Sequence, residues 1–360
     1  MIRGTLGRYF AAIFLKWIVG VFLSCLVLIF LSDFVELLRK ASDLPNAPVL
    51  QLITVSLYRL PSLGEQLLPF AVLFGSMAAL LTLSRKSELV VTRAVGVSVW
   101  QFLAPGLAVT LAVGVMSVLF YNPAAALLKE QSDALEGRIF RRAVVERKSL
   151  WLRQSGEGVQ SVLHAARAVE QGAKLFNVTV YVFDRAGRFQ ERLEAQEARL
   201  EAGYWQLAGG WRLKPGDKGT ERFTETRVPT ALTSEQVRET LASPKNISFW
   251  DLPTYIQLAE EAGLPAAQYR LQRQVLLARP LLLSAMVIIA ATVSLRLFRL
   301  GNVGRMILGG VIAGFVLYVI GKLTQDFGGA GLVSPAAAAW VPASVALLLG
   351  STILLRQEDG

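Results

Sequence analysis

Six long apolar stretches punctuate this chain, at residues 10–31, 61–83, 99–121, 275–295, 306–323 and 335–355. A helix rises about 1.5 Å per residue, so about 20 apolar residues cross the ~30 Å of bilayer hydrocarbon. A soluble domain has no use for six such segments. The pattern predicts six transmembrane helices, split three and three by a long polar insert. Three spans before the insert place it across the membrane from the N-terminus. The first stretch has no small-residue cleavage site after it, so it is expected to stay as an anchor.

The insert switches period. Residues 177–183, Asn-Val-Thr-Val-Tyr-Val-Phe, alternate strictly and are rich in β-branched side chains, as in a half-buried strand. Residues 184–187, Asp-Arg-Ala-Gly, supply a turn, and a return strand starts at Phe189. Residues 196–201 alternate again, Ala202-Gly203 turns the chain into Tyr204-Trp-Gln-Leu207, Gly209-Gly210 precedes Trp211-Arg-Leu213, and Lys214-Pro-Gly-Asp217 makes another turn. Such spacing fits an antiparallel sandwich or jelly roll. Its open edges could accept strands from a partner. Near the end the period returns to helical. A helix is expected from Asp251-Leu-Pro253 to Gly263, and a second from Pro265 straight into the fourth span. That connector either transmits movement between insert and membrane or simply tethers the two.

Charge orients the chain. One set of short loops holds Arg3, Arg8, Arg85, Lys86, Arg93, Arg296, Arg299, Arg305 and Arg356; the other holds Arg39, Lys40, Arg59 and Lys322. The positive-inside rule puts both termini in the cytoplasm and the insert outside. The insert carries 20 basic against 19 acidic residues, leaving 17 and 8 for the rest of the chain's 37 and 27. The surplus therefore belongs to membrane flanks. No basic face interleaved with aromatics appears in the insert, which argues against nucleic acid as a partner.

Catalytic chemistry is thin. The one histidine, His164, sits in a strand-like Ser-Val-Leu-His segment with no Ser or Cys partner, and the one cysteine, Cys25, lies inside the first span. A lone histidine excludes H-E-x-x-H, and a lone cysteine excludes a disulfide framework within the chain. No phosphate-cradling G-x-x-x-x-G-K-[ST] loop is present. Neither catalytic residues nor a metal site nor a cofactor is expected. Ionisable groups in the spans are few: Lys16, Glu65, Arg279 and Lys322, all near span ends, where snorkelling is the ordinary reading. Gly309, Gly310, Gly314 and Gly321 in the fifth span allow close helix approach, for packing or for a movable gate.

The loop after the second span is more specific: Ser84-Arg-Lys-Ser-Glu-Leu-Val-Val-Thr-Arg-Ala-Val-Gly-Val-Ser98. Ser87 is expected to cap a short helix, Glu88 suits its first turn, and Gly96 should end it. Such a helix is either an interfacial connector or a peg for a cytoplasmic motor.

That loop, with Arg8-Tyr9 opening the first helix and Asp33-Phe-Val-Glu-Leu-Leu-Arg-Lys-Ala41 closing it, resembles the LptF/LptG lipopolysaccharide export permeases. The strands around 176–189 and the segment from Tyr269-Arg-Leu-Gln272 to Ser294-Leu-Arg296 agree. The likeness runs over essentially the whole chain, and Arg-Lys-Ser-Glu-Leu-Val-Val favours the LptG branch.

The resemblance implies a six-helix polytopic membrane protein with an all-β, jelly-roll-like periplasmic insert. Its parts would be 1–122 (spans 1–3, with a coupling helix about 85–98), 123–269 (the insert and its helical connector) and 270–360 (spans 4–6). It implies a transport subunit with no enzyme activity of its own, paired with an LptF-like permease on a dimeric LptB-like ATPase. That assembly would extract lipopolysaccharide from the inner membrane and pass it to LptC-like and LptA-like proteins. Glu88, Arg85 and Arg93 would couple to the ATPase. Arg39, Lys40, Asp33 and Arg59 would face the lipid, although Arg39 and Lys40 are equally read as interfacial anchors. Related LptG chains often carry a basic residue where Asp33 stands. A carboxylate there should repel an anionic lipid, unless the substrate differs in charge or a cation such as Arg39 neutralises it. Two other readings stay open: a permease for another lipid or for lipoproteins, and a membrane scaffold without transport.

Overall fold

A computed structural model of the chain describes residues 4–42, 49–140, 147–156, 159–169, 174–184, 188–201, 203–215, 219–230, 244–261, 266–298 and 303–358. The helices are α1 (Thr5–Ala41), α2 (Val49–Arg85), α3 (Glu88–Ala94), α4 (Val99–Met116), α5 (Asn122–Ile139), α6 (Leu252–Glu261), α7 (Ala267–Phe298), α8 (Val303–Gly329) and α9 (Pro335–Glu358). A π-helical turn, Ser117–Tyr121, joins α4 to α5 without a break. Among the described residues six helical segments are long and apolar enough to cross a membrane: α1, α2, α4–α5, α7, α8 and α9.

Lipid tails are as apolar as leucine, so burial alone does not order helices in a bilayer; close packing and polar joints do. Two helices form the axis of this bundle. In the most apolar part of α2 and of α7, 61% of residues are buried, against 6% for α1 and 17% for α8. Phe10, Phe14 and Ile18 of α1 pack on Leu73 and Met77 of α2, Phe102 and Leu103 of α4, and Met286 and Val287 of α7. On α8, a Cβ at Gly310 would lie 2.4 Å from the Met77 sulfur, and one at Gly314 2.5 Å from the Leu73 side chain. At Gly321 nothing lies within 4 Å. The glycines thus seat the first half of α8 on α2 and its end on α7 and α9, where a Cβ at Gly328 would lie 2.6 Å from Ala338 and 3.2 Å from Leu271.

At 37 residues each, α1 and α2 are about 55 Å long, well beyond the hydrocarbon. Their far ends pack Leu37 and Ala41 against Leu52 and Val55, with Leu135 and Ile139 of α5. The helical state therefore runs past Pro123, where the sequence pattern suggests β structure, and the first strand begins only at Arg147.

The strands are β1 (Arg147–Gly156), β2 (Val159–Val169), β3 (Lys174–Phe183), β4 (Phe189–Glu201), β5 (Tyr204–Leu213) and β6 (Glu221–Pro229). They form one antiparallel sheet in the order β1-β2-β3-β4-β5-β6. This is an all-β insert, as expected. Its described strands form a meander, without the crossings between two sheets that define a jelly roll. Alternate side chains converge on one face, where Leu163, Val180, Leu193, Trp205, Leu207 and Val228 are buried together. Gly209-Gly210 lies inside β5 and is no turn between strands. Gly209 has φ +62°, and a Cβ at Gly210 would fall 2.0 Å from the Glu194 carbonyl oxygen. The connector follows expectation, with α6 and then α7 running unbroken from Ala267 into the bundle. His164 sits in β2, opposite Thr179 of β3.

Candidate functional sites at the two ends of the bundle

The first site is the loop between α2 and α4. Ser87 stands at the start of α3 with φ 58° and ψ 10°, a left-handed backbone, and its hydroxyl makes no capping bond. The expected serine cap is therefore absent, and Ser87 instead reverses the chain at the end of α2. Gly96, at φ +85°, ends the helix as expected. Leu89 and Thr92 are buried against the bundle, and Leu89 shares the core of α2 and α7. Opposite them Val90, Val91 and Val95 are bare, at 62%, 61% and 79% exposure. Glu88 is half-buried. One of its carboxylate oxygens accepts a hydrogen bond from the Tyr9 hydroxyl at 3.0 Å, and the other is buried without a partner. Arg85 is exposed at the end of α2, and Arg93 is half-buried in the last turn of α3.

The second site lies at the opposite end, where α1, α2 and α5 meet. Arg59 of α2 reaches Asp33 of α1 at 3.1 Å and also bonds to Glu136 of α5. Its side chain is only 14% exposed and that of Asp33 11%. The cation neutralising Asp33 is thus Arg59, not Arg39. Burial opposes the Arg59 charge, but the two carboxylates hold it. Lys40 pairs with Glu36 one turn back at 2.7 Å, and Arg39 is exposed. Of the four residues expected near a lipid headgroup, Asp33 and Arg59 pair with each other, leaving one Asp33 oxygen and the Arg59 Nε buried without a hydrogen-bond partner, while Arg39 and Lys40 stand at the surface.

A third constellation escaped the sequence reading. Glu65 of α2 and Arg279 of α7 do not snorkel: they form a direct ion pair, with side chains 8% and 12% exposed. Asn122, at the start of α5, donates to the same Glu65 oxygen at 2.9 Å. Its own carbonyl oxygen accepts the Phe249 backbone N–H at 2.8 Å. Beside it the Tyr121 hydroxyl donates to the Pro61 carbonyl at 3.0 Å, and the Trp250 indole donates to the Leu119 carbonyl at 3.2 Å. Two opposite charges stranded in apolar spans were the available signal, since such groups face the bundle interior and pair. Asn122 and Phe249 gave none.

The residues span the whole chain, and so does the family likeness. The model of the family described as "Lipopolysaccharide export system permease LptF/LptG" matches residues 8–356. The chain belongs to the LptF/LptG family. Among its relatives is the lipopolysaccharide export system permease protein LptG of Escherichia coli K12, 24% identical over 379 residues and covering 99% of each chain. The LptG protein of Haemophilus influenzae is 21% identical over 370 residues, again with 99% of each covered. This LptF/LptG chain carries six helical segments long and apolar enough to cross a membrane, a β insert and a loop bearing Glu88.

The Asp33–Arg59–Glu136 triad makes a direct prediction for this member of the family. Removing one partner of a buried ion pair costs about 3–5 kcal/mol, because a charge is left behind. Arg59→Ala strands two carboxylates and should lower the melting temperature in detergent markedly. Arg59→Lys should recover only part of the loss, since an ammonium lacks the planar fork that reaches two acceptors. Full stability of Arg59→Ala would show the triad to be energetically idle.

Proposed function

We propose that this chain is the LptG-like permease subunit of an ATP-driven exporter that lifts lipopolysaccharide out of the inner membrane. The observation that carries the reading is α3. It is a seven-residue helix seated by Leu89 and Thr92 in the core shared by α2 and α7, with a bare valine face turned outward. The sequence contains no phosphate-binding loop of its own, so the driving force comes from a separate LptB-like ATPase, and α3 is the surface that meets it. Tyr9 holds one Glu88 oxygen in place and leaves the other to receive a cation from the ATPase. Arg85 and Arg93 flank this contact.

The remaining assignments follow from that orientation. Both termini and α3 lie in the cytoplasm, and the sheet lies in the periplasm. Helices α1 and α8, the least buried of the six, border the lipid cavity and the LptF-like partner. Arg39 and Lys40 meet the phosphates of the lipid. The β6 edge, with exposed Glu221, Arg222 and Glu225, and the β1 edge offer pairing surfaces toward LptC-like and LptA-like proteins. One observation favours a second reading, a permease for another lipid or for lipoproteins. Arg59 is already neutralised, so this mouth offers an anionic headgroup less positive charge than a free cluster would.

Two measurements test the proposal. In a Cys25→Ala background, a cysteine at Glu225 should react with an impermeant thiol reagent added to intact spheroplasts, and one at Ser87 should not. The reverse pattern would overturn the orientation. Glu88→Lys should lose co-purification with the ATPase or uncouple hydrolysis from lipid release, since breaking a desolvated interfacial charge pair costs about 2–5 kcal/mol. Wild-type assembly together with wild-type lipid extraction would refute the role of Glu88.

A further inference from the structure

The β insert is tied to the membrane helices by two tethers, α5 on entry and the segment before α6 on exit. Both tethers end on one buried polar cluster. Asn122 is the first residue of α5, and Phe249 and Trp250 lie three and two residues before the start of α6 at Leu252. Asn122 uses both ends of its amide, donating to Glu65 and accepting from the Phe249 N–H. That double use fixes the orientation of the amide, because only its oxygen can accept. Glu65 in turn is held by Arg279, so α2 and α7, the two axial helices, grip the point where the tethers meet.

The π turn at Ser117–Tyr121 belongs to the same joint. Such a turn shifts backbone carbonyls out of the ordinary helical ladder and recurs at functional positions. Here the Leu119 carbonyl meets the Trp250 indole of the exit tether. Entry and exit are therefore joined twice, once through a side-chain amide and once through a backbone carbonyl.

A buried ion pair is weak evidence for stability, because well-packed apolar side chains of similar volume hold as well or better. Its better attested use is registry: it accepts one arrangement of its neighbours and rejects others. We propose that Glu65, Arg279 and Asn122 form a registry lock that fixes α5 and the segment before α6 to α2 and α7, so that these elements move as one body. The lock needs only the fold. Its consequence for transport rests on the permease reading, in which movement at α3 reaches the same two helices through Leu89. Under that reading the three side chains are positioning residues and touch no substrate.

The test uses the full chain in nanodiscs with its co-purified ATPase. Spin labels replace Leu127, which is 63% exposed on α5, and Leu332, which is 74% exposed between α8 and α9, in a Cys25→Ala background. The wild type should give one narrow distance distribution. The double variant Glu65→Leu with Arg279→Leu should keep its melting temperature or raise it, yet broaden that distribution. Its ATP hydrolysed per lipid released should rise by up to about a hundredfold, the scale of loss that remote misplacement causes. Asn122→Leu, which leaves the Glu65–Arg279 pair in place and removes both bonds of the amide, to Glu65 and to the exit tether, should broaden the distribution as well. Distributions as narrow as wild type in both variants would overturn the lock. A broadened distribution with an unchanged ATP-to-lipid ratio would uphold the lock and count against the permease reading.

Discussion

Charge inside hydrocarbon must be paired, and that constraint organises this protein. Glu65 and Arg279 stand in apolar spans 214 residues apart in sequence, and each is tolerable there only because of the other. Their meeting brings α2 against α7 across the full length of the β insert. With that contact made, α1 and α4 complete the aromatic and leucine core, and α8 leans on α2 at two glycines. The helices α1 and α8, the least buried of the six spans, are the ones whose apolar faces stay open.

The same logic divides the charges at the far end of α1 and α2. Arg59 sits between two carboxylates and is used up structurally. Arg39 and Lys40, only a turn or two from Asp33, remain at the surface. A cluster that reads in sequence as one lipid-facing group is therefore two groups with different work. Within the subunit Asp33 is paired with Arg59, so it does not meet a lipid as a lone carboxylate.

The sequence made some of this plain because some signals are local. Twenty-residue apolar runs declare spans, strict alternation declares β3, and Pro265 with the apolar run beyond it declares the long α7. The short helix α3 was legible from its loop, although Ser87 uses a left-handed turn where a side-chain cap was expected. What failed to show was long-range or masked by polarity. Helix α5 carries Lys129, Glu130, Asp133, Glu136 and Arg138 within one stretch, so it has no apolar run to reveal it. The order of strands, the identity of the Asp33 partner and the Asn122 joint depend on residues brought together only by folding.

The central claim, that this chain is the membrane half of a lipopolysaccharide extractor, is tested most directly by reconstitution. The chain, its co-purifying permease and its ATPase would be placed in proteoliposomes with labelled lipopolysaccharide, and release to a soluble acceptor followed. The account predicts release that requires ATP and this chain, with phospholipid left in the membrane. Release that ignores ATP, or a complex that moves phospholipid or lipoprotein and leaves lipopolysaccharide in place, would contradict it.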